Sequence, residues 1–227
     1  MRMANPYIDY RFACSDNAGK MMFRHKEFTV IQNAISLEDY AINNEIRYDV
    51  RNKLGLAADA LILGTVGRIE NVKNPFGVID IFASFHQKEP NSAFVWVGDG
   101  GLRKAAEAYA EKKQISDNIL FLGIRSDVNK ILQVMDIFVM PSFFEGFPVT
   151  MVEAQAAGLH CFVSDTITRK TAITELVTFL PYDDIEAWVN AMLGCNTEKK
   201  NTEEQLIENG FDIRNSAKKM ENFYLSI

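Results

Sequence analysis

The stretch Ile137-Phe138-Val139-Met140-Pro141-Ser142-Phe143-Phe144-Glu145-Gly146-Phe147-Pro148-Val149-Thr150-Met151-Val152-Glu153-Ala154 passes from a short apolar run through a glycine-containing loop into a helical pattern. The pattern continues to Ala157, where Gly158 supplies a C-terminal glycine, and a second apolar run, Cys161 to Val163, follows at once. Working outward, the same alternation recurs. Apolar runs stand at Leu61 to Val66, Phe94 to Val97, Ile119 to Leu122 and Val177 to Leu180. Between them lie helical segments at Phe76 to His86, Leu102 to Lys113, Val128 to Val134 and Ile185 to Leu193. Asn74-Pro75 precedes the first of these, with Asn suited to cap and Pro to open a helix. Strands and helices in strict alternation with short connections predict an α/β fold with a doubly wound parallel sheet, which binds ligands at the carboxyl ends of its strands.

The flanks read differently. Tyr10 to Cys14 and Phe28 to Ile31 resemble extended pieces, Asp16 to Phe23 a short helix, and Asn44 to Lys53 a longer one. Residues 1–59 hold too little for a domain. After Asn196 the chain is polar until Asp212 to Tyr224, where Ile213, Ala217, Met220, Phe223 and Tyr224 fall on one helical face. No internal repeat is present.

The 227 residues, 48% hydrophobic and 24% charged, have the profile of a chain that buries a sizeable core, which excludes disorder and coiled coil. A net charge of -6 argues against nucleic acid as a partner, so any anion must be caught locally by a few cations and backbone amides. Cys14, Cys161 and Cys195 form neither a disulfide framework nor a metal motif, and a reducing compartment, the cytoplasm, is expected. Cys161, inside an apolar run, reads as an inert buried thiol. His25, His86 and His160 are scattered, and no serine elbow accompanies them. No apolar run approaches the ~20 residues that cross a bilayer.

Chemistry should sit at the strand ends. Gly67-Arg68 follows the first long run and Lys73-Asn74-Pro75 opens the next helix. Arg by its fork and Lys as a point charge could hold a diphosphate there, although loop cations of this kind are more often merely solvated. Gly98-Asp99-Gly100-Gly101 is glycine-rich but does not make the dinucleotide fingerprint. In the opening stretch, the amides of the loop and first helical turn form an anion site. Glu145 and Glu153 are acceptors suited to sugar hydroxyls. The plainer reading is that Glu145 favours the helix N-terminus and Glu153 is a solvated helical residue.

Glu145 and Glu153, separated by seven residues within Glu145-Gly146-Phe147-Pro148 to Glu153-Ala154, together with Gly67-Arg68 and Lys73-Asn74, resemble the retaining nucleotide-sugar glycosyltransferases of the group 1 family, of GT-B fold. Gly98-Asp99-Gly100, Phe121-Leu122-Gly123 with Asp127-Val128, and Met140-Pro141-Ser142 are similar to that family in the same order. The resemblance covers about residues 10–224. Cys14-Ser15 and Val30 to Ile35 look like the capsular and exopolysaccharide branch.

The resemblance implies a Rossmann-like domain, the C-terminal half of a GT-B glycosyltransferase, with a nucleoside diphosphate sugar, expected to be a UDP-sugar, as donor. Arg68 and Lys73 would neutralise the diphosphate beside Gly67. Glu145, with the amides of Gly146, Phe147, Pro148 and Val149 as a loop, would hold the sugar, proline contributing no N–H, and the Val149 and Thr150 amides would meet phosphate. Glu153 would take the ribose hydroxyls, and the base would lie near Ile124 and Val128. Glu145, Arg68 and Lys73 would be the catalytic residues. No metal is expected, because the cations do the work of a magnesium ion.

The resemblance also implies a division into residues 1–35, a remnant of an acceptor domain and linker; residues 36–200, the donor domain; and residues 201–227, helices that pack back on that other domain. The acceptor, a glycan or lipid-linked sugar in polysaccharide biosynthesis, would be held by the missing domain, with the full-length enzyme at the inner face of the membrane. The chain alone should therefore bind nucleotide without transferring sugar. Apolar groups near both ends (Tyr7, Ile8, Tyr10, Phe12, Met21, Met22, Phe23, Phe223, Tyr224) should invite self-association. The alternative is a non-catalytic nucleotide-sugar-binding module that works with a partner chain. A sugar-nucleotide epimerase is disfavoured because His160 lies at the start of a strand, and a dehydrogenase because Gly67-Arg68 lacks the glycine fingerprint.

Overall fold

A computed structural model describes residues 9–227; Tyr7 and Ile8, and the rest of residues 1–8, lie outside the described residues. In chain order the elements are β1 (Phe12–Ala13), α1 (Asp16–Phe23), β2 (Thr29–Val30), α2 (Asn44–Leu54), β3 (Leu61–Val66), α3 (Pro75–Lys88), β4 (Ser92–Val97), α4 (Arg103–Lys112), β5 (Ile119–Gly123), α5 (Val128–Val134), β6 (Ile137–Met140), α6 (Val149–Ala156), β7 (His160–Ser164), β8 (Val177–Leu180), α7 (Ile185–Leu193), α8 (Glu203–Glu208) and α9 (Ile213–Leu225). They form two compact units, residues 37–205 and residues 9–36 with 206–227.

The larger unit is a doubly wound sheet of six strands in the order β5-β4-β3-β6-β7-β8, every pairing parallel. The six apolar runs are the six strands. Their side chains alternate between two cores because successive residues of a strand face opposite sides. Leu63, Phe94, Trp96, Ile137, Val139 and Phe162 pack with α3 and α7, around Phe82, Phe85 and Trp188. Ile62, Val95, Val97, Phe138, Met140, Cys161 and Val163 pack with α5 and α6 on the other side. Strands covered on both faces read as continuous apolar runs, which is why they stand out in the sequence.

Helix boundaries follow local chemistry. Asn74 takes a left-handed conformation (φ 53°), its Oδ1 accepts from the Gly77 amide, and Pro75 fills the first position of α3. After α6 the chain turns at Gly158 (φ 72°). At the opposite end of the sheet from the strand termini that carry the candidate residues, Asp136 is 8% exposed and accepts from Arg47 (2.5 Å), Arg51 (2.7 Å) and the Ile62 amide (2.7 Å). This network ties α2 to the starts of β3 and β6.

The smaller unit holds the parallel pair β1–β2. Within it the Phe223 ring of α9 meets Tyr10 and Phe12 edge-on, at centroid distances of 4.8 and 4.9 Å. Phe223 thus covers part of Tyr10 and Phe12, while Tyr10, Met21, Met22 and Tyr224 all stay exposed. The short helix α8 has no counterpart in the sequence reading, since six mostly polar residues carry no clear amphipathic period.

Candidate functional site

The strand order reverses between β3 and β6, which lie side by side in the sheet while their connections run to opposite edges. A doubly wound sheet opens a crevice at that point, beyond the carboxyl ends of the two strands. The chain leaves β3 into Gly67-Arg68 and leaves β6 into Pro141-Ser142, so both candidate loops border this crevice.

The two loops are fastened to each other. The Phe143 amide donates to the Val72 carbonyl at 2.9 Å, and Asn74 Nδ2 donates to the Pro141 carbonyl at 3.1 Å. Lys73 Nζ then reaches Glu145 Oε1 at 2.5 Å, with both side chains largely shielded from water. Glu145 thus does more than favour the helix N-terminus, as the plainer reading has it: it is paired with Lys73 across the two loops. An ion pair held between two bolted loops is a fixed charge arrangement, and its second carboxylate oxygen remains an acceptor.

Beside it, α6 begins at Val149 after Pro148, whose side chain makes no capping bond to the first turn. The first-turn amides and the helix dipole give this point positive character. Thr150 Oγ1 is buried there with no hydrogen-bond partner among the described residues. Gly146 is exposed, and Phe147, Pro148, Val149 and Thr150 are half-buried.

Glu153 lies about one turn into α6 and is half-buried. The Tyr40 hydroxyl donates to its Oε1 at 2.9 Å. Burial lifts the Glu153 carboxyl above its ordinary value, and the Tyr40 hydrogen bond opposes that lift. Burial, then the charge of Glu153, pushes the Tyr40 phenol well up, so it keeps its proton and donates. Neither Glu153 nor its partner fits the picture of a solvated helical residue.

Arg68 is placed otherwise than Lys73. Its side chain is 71% exposed and its guanidinium pairs with Glu70 at 2.6 Å. It lines a cavity of about 540 Å³ with Gly67, Gly98, Asp99, Ile124 and Val128, formed by the loops after β3, β4 and β5. Ile124 is 85% exposed and offers its side chain to that space. A smaller recess, about 10 Å³, joins Gly67, Arg68, Lys73, Pro141 and Ser142 at the reversal point itself. Gly67 and Arg68 line both spaces, which so place Ile124, Val128, Arg68 and Lys73 side by side, with Glu145 joined through Lys73; Glu153 and residues 146–150 line neither space. Gly98 explains why the cavity floor is so low: it has φ 131°, and a Cβ would come within 2.1 Å of the Gly67 carbonyl oxygen. Only glycine fits there.

Other groups do not take part. Cys161 is fully buried and burial pushes its thiol well up, as an inert core cysteine requires. Among the described residues, no group of three or more His, Cys, Asp and Glu could hold a metal ion, and no helix is long and apolar enough to cross a membrane. Tyr40 and Gln155 escaped the sequence reading. Gln155 is fully buried beneath the site, accepting from the Ile173 and Thr174 amides and donating to Met151 and Thr171 carbonyls. Its position two residues after Glu153, inside a run of core residues, was the available signal.

Comparison with known proteins gives this geometry a context. The family described as Glycosyl transferases group 1 matches residues 47–212. EpsF of Bacillus subtilis (strain 168), a glycosyltransferase by name, is 32% identical over 223 residues, covering 93% of this chain and 58% of its own. The UDP-Gal:alpha-D-GlcNAc-diphosphoundecaprenol alpha-1,3-galactosyltransferase of Escherichia coli is 32% identical over 215 residues, covering 88% and 54%. The chain therefore spans little more than half the length of these curated relatives. In fold it is similar to HepE of Anabaena, solved in complex with UDP and glucose, with a TM-score of 0.82 at 19% identity over 100% of this chain and 65% of that one.

Proposed function

Because the chain belongs to the group 1 glycosyl transferases, we propose that it is the donor-nucleotide half of a retaining glycosyltransferase that moves a sugar from a nucleoside diphosphate sugar to a glycan or lipid-linked acceptor in polysaccharide biosynthesis. The observation that carries this reading is the Lys73–Glu145 pair beside the start of α6, at the point where the strand order reverses. The relatives' names support the donor and acceptor classes: one takes UDP-Gal and a diphosphoundecaprenol-linked sugar, and HepE was solved with UDP and glucose.

In this reading the base occupies the large cavity, against Ile124 and Val128, and the ribose extends from it to set its hydroxyls on Glu153. The diphosphate lies against the first-turn amides of α6, between Arg68 and Lys73. The sugar sits over the loop 145–148, where the free oxygen of Glu145 accepts from its hydroxyls. Transfer breaks the bond between the anomeric carbon and the diphosphate oxygen and forms one to the acceptor oxygen on the same face. The acceptor's proton leaves with the diphosphate. Negative charge grows on the leaving group as that bond breaks; Lys73 and the α6 dipole are held where they stabilise it, and Arg68 adds its charge once it exchanges Glu70 for phosphate. No divalent ion is required for this.

The acceptor wall is assigned to the part of the relatives' length that this chain does not span. A hydroxyl nucleophile must be held against the anomeric carbon in a closed, water-poor cleft, and one wall does not close it. The test mixes the chain with UDP-glucose, UDP-galactose and UDP-N-acetylglucosamine, with and without a lipid-diphosphate sugar and with and without EDTA. Expected are a raised melting temperature with UDP that EDTA leaves unchanged, and no transfer product. Multiple-turnover transfer by this chain overturns the half-enzyme reading, and loss of UDP binding in EDTA overturns the metal-free one.

A further inference from the structure

The carboxylate of Glu153 is held by a residue 113 positions earlier in the chain. Tyr40 ends a single 3-10 turn, Leu37–Tyr40, and its hydroxyl reaches Glu153 Oε1 at 2.9 Å. The turn is itself secured. Its last carbonyl, on Tyr40, accepts from Gln133 Nε2 at 3.0 Å, and the Asp39 carbonyl accepts from Asn129 Nδ2 at 3.1 Å. Gln133 is almost fully buried, and its Oε1 accepts from the Asn43 amide at 3.1 Å, so one amide side chain on α5 holds the turn and the chain that follows it. The Tyr40 ring rests against the apolar core between α5 and α6.

A free glutamate side chain has several rotatable bonds, whereas two vicinal hydroxyls ask for a carboxylate fixed in one plane. The hydrogen bond from Tyr40 takes one lone pair of Oε1 and leaves Oε2, with the remaining lone pair of Oε1, as acceptors. It also favours the ionised form that burial disfavours. We propose that Tyr40 is a positioning residue for Glu153, holding its carboxylate in the orientation that accepts from both ribose hydroxyls, and so sets how strongly this chain prefers a ribonucleotide to its 2′-deoxy counterpart. The proposal rests on the reading of Glu153 as the ribose acceptor.

Tyr40→Phe keeps the ring in its packing and deletes the donor alone. UDP and 2′-deoxy-UDP are titrated into the wild-type chain, Tyr40→Phe, Glu153→Gln and the double variant. UDP should bind Tyr40→Phe roughly threefold to tenfold more weakly, the size of one lost hydrogen bond, while 2′-deoxy-UDP changes by less than about twofold. The double variant should lose little more than Glu153→Gln alone, because the two act as a unit. Asn129→Ala, which loosens the turn from its edge and touches neither partner, should lower the preference for UDP in the same direction. Equal weakening of both nucleotides in Tyr40→Phe, or an unchanged preference in it and in Asn129→Ala, overturns the proposal. If the wild-type chain has no preference and Glu153→Gln costs nothing, the ribose reading of Glu153 is what fails.

Discussion

Lys73 Nζ and Glu145 Oε1 stand 2.5 Å apart and join the loop after β3 to the loop after β6, across the one place in the sheet where the strand order reverses. The pair is largely shielded from water, and the loops beneath it are already tied by Phe143 to Val72 and by Asn74 to Pro141. Lys73 is therefore a fixed cation. Lys73→Ala should weaken UDP binding roughly tenfold to a hundredfold, the range of a charge-assisted hydrogen bond, while uridine binding stays nearly unchanged. It should also lower the melting temperature, because Glu145 is left without its counter-charge. Calorimetric titration of both ligands, with a thermal melt, measures each effect.

Arg68 should respond differently. Its side chain is mostly exposed and its guanidinium is engaged with Glu70. An exposed pair contributes little, so it can be exchanged for phosphate, but exchange means breaking the bond to Glu70 first. Arg68→Ala should cost UDP more than uridine and should leave the melting temperature almost unchanged. Glu70→Gln should strengthen UDP binding by up to a few fold, and added salt should erase most of that gain. An Arg68→Ala loss that is equal for uridine and UDP places Arg68 away from phosphate.

The raised Glu153 carboxyl gives the proposed ribose contact a pH dependence. Burial, opposed by Tyr40, sets this group above its ordinary value, while the phenol it faces is bordered by Asp39 and stays protonated throughout. As pH falls through the Glu153 value the carboxylate gains a proton and loses acceptor capacity. UDP should weaken relative to 2′-deoxy-UDP as pH falls from neutral through the raised Glu153 value, at a higher pH than an ordinary carboxyl would titrate, and this differential should vanish in Glu153→Gln. A ratio constant from neutral pH down through the ordinary carboxyl value removes Glu153 from the ribose.

Lys199 makes stability, rather than binding, depend on pH. Its ammonium donates to the Leu132 carbonyl at 2.9 Å, and burial first, then Arg47, pushes its pKa down to about 7. Between that value and the ordinary 10.5 the unfolded chain binds more protons at this position than the folded one. Stability from Lys199 is therefore smallest at pH 7 and below and rises as pH increases through this window. Melting temperature should climb from pH 7 to 9 more steeply in the wild-type chain than in Lys199→Met. Parallel curves contradict it.

The sheet was open to reading because its strands are buried on both faces. Ile137 to Met140 is an unbroken apolar run, Leu61 to Val66 is broken only by Gly64-Thr65, and Asn74-Pro75 and Gly158 mark helix ends by chemistry local to them. The site was legible in part. Glycine loops at strand ends and the spacing of Glu145 and Glu153 are local patterns, whereas the pairing of Lys73 with Glu145 joins positions 72 residues apart and depends on which strands become neighbours. Tyr40 was hidden for the same reason. A tyrosine in Ser36-Leu37-Glu38-Asp39-Tyr40 carries no signal that it will meet α6, since only the folding of the turn onto α5 brings it there. Asp136 likewise reads as a loop acid until Arg47 and Arg51 arrive from α2.

In the proposed function, Lys73, Glu145 and the start of α6 form a diphosphate site next to a nucleoside site at Glu153, Ile124 and Val128. Isothermal titration of UDP, uridine and pyrophosphate into the wild-type chain, Lys73→Ala and Glu153→Gln tests it most directly. The account predicts one UDP per chain, with Lys73→Ala weakening UDP and pyrophosphate but not uridine, and Glu153→Gln weakening UDP and uridine but not pyrophosphate. No UDP binding by the folded wild-type chain, or equal losses for all three ligands in both variants, contradicts it.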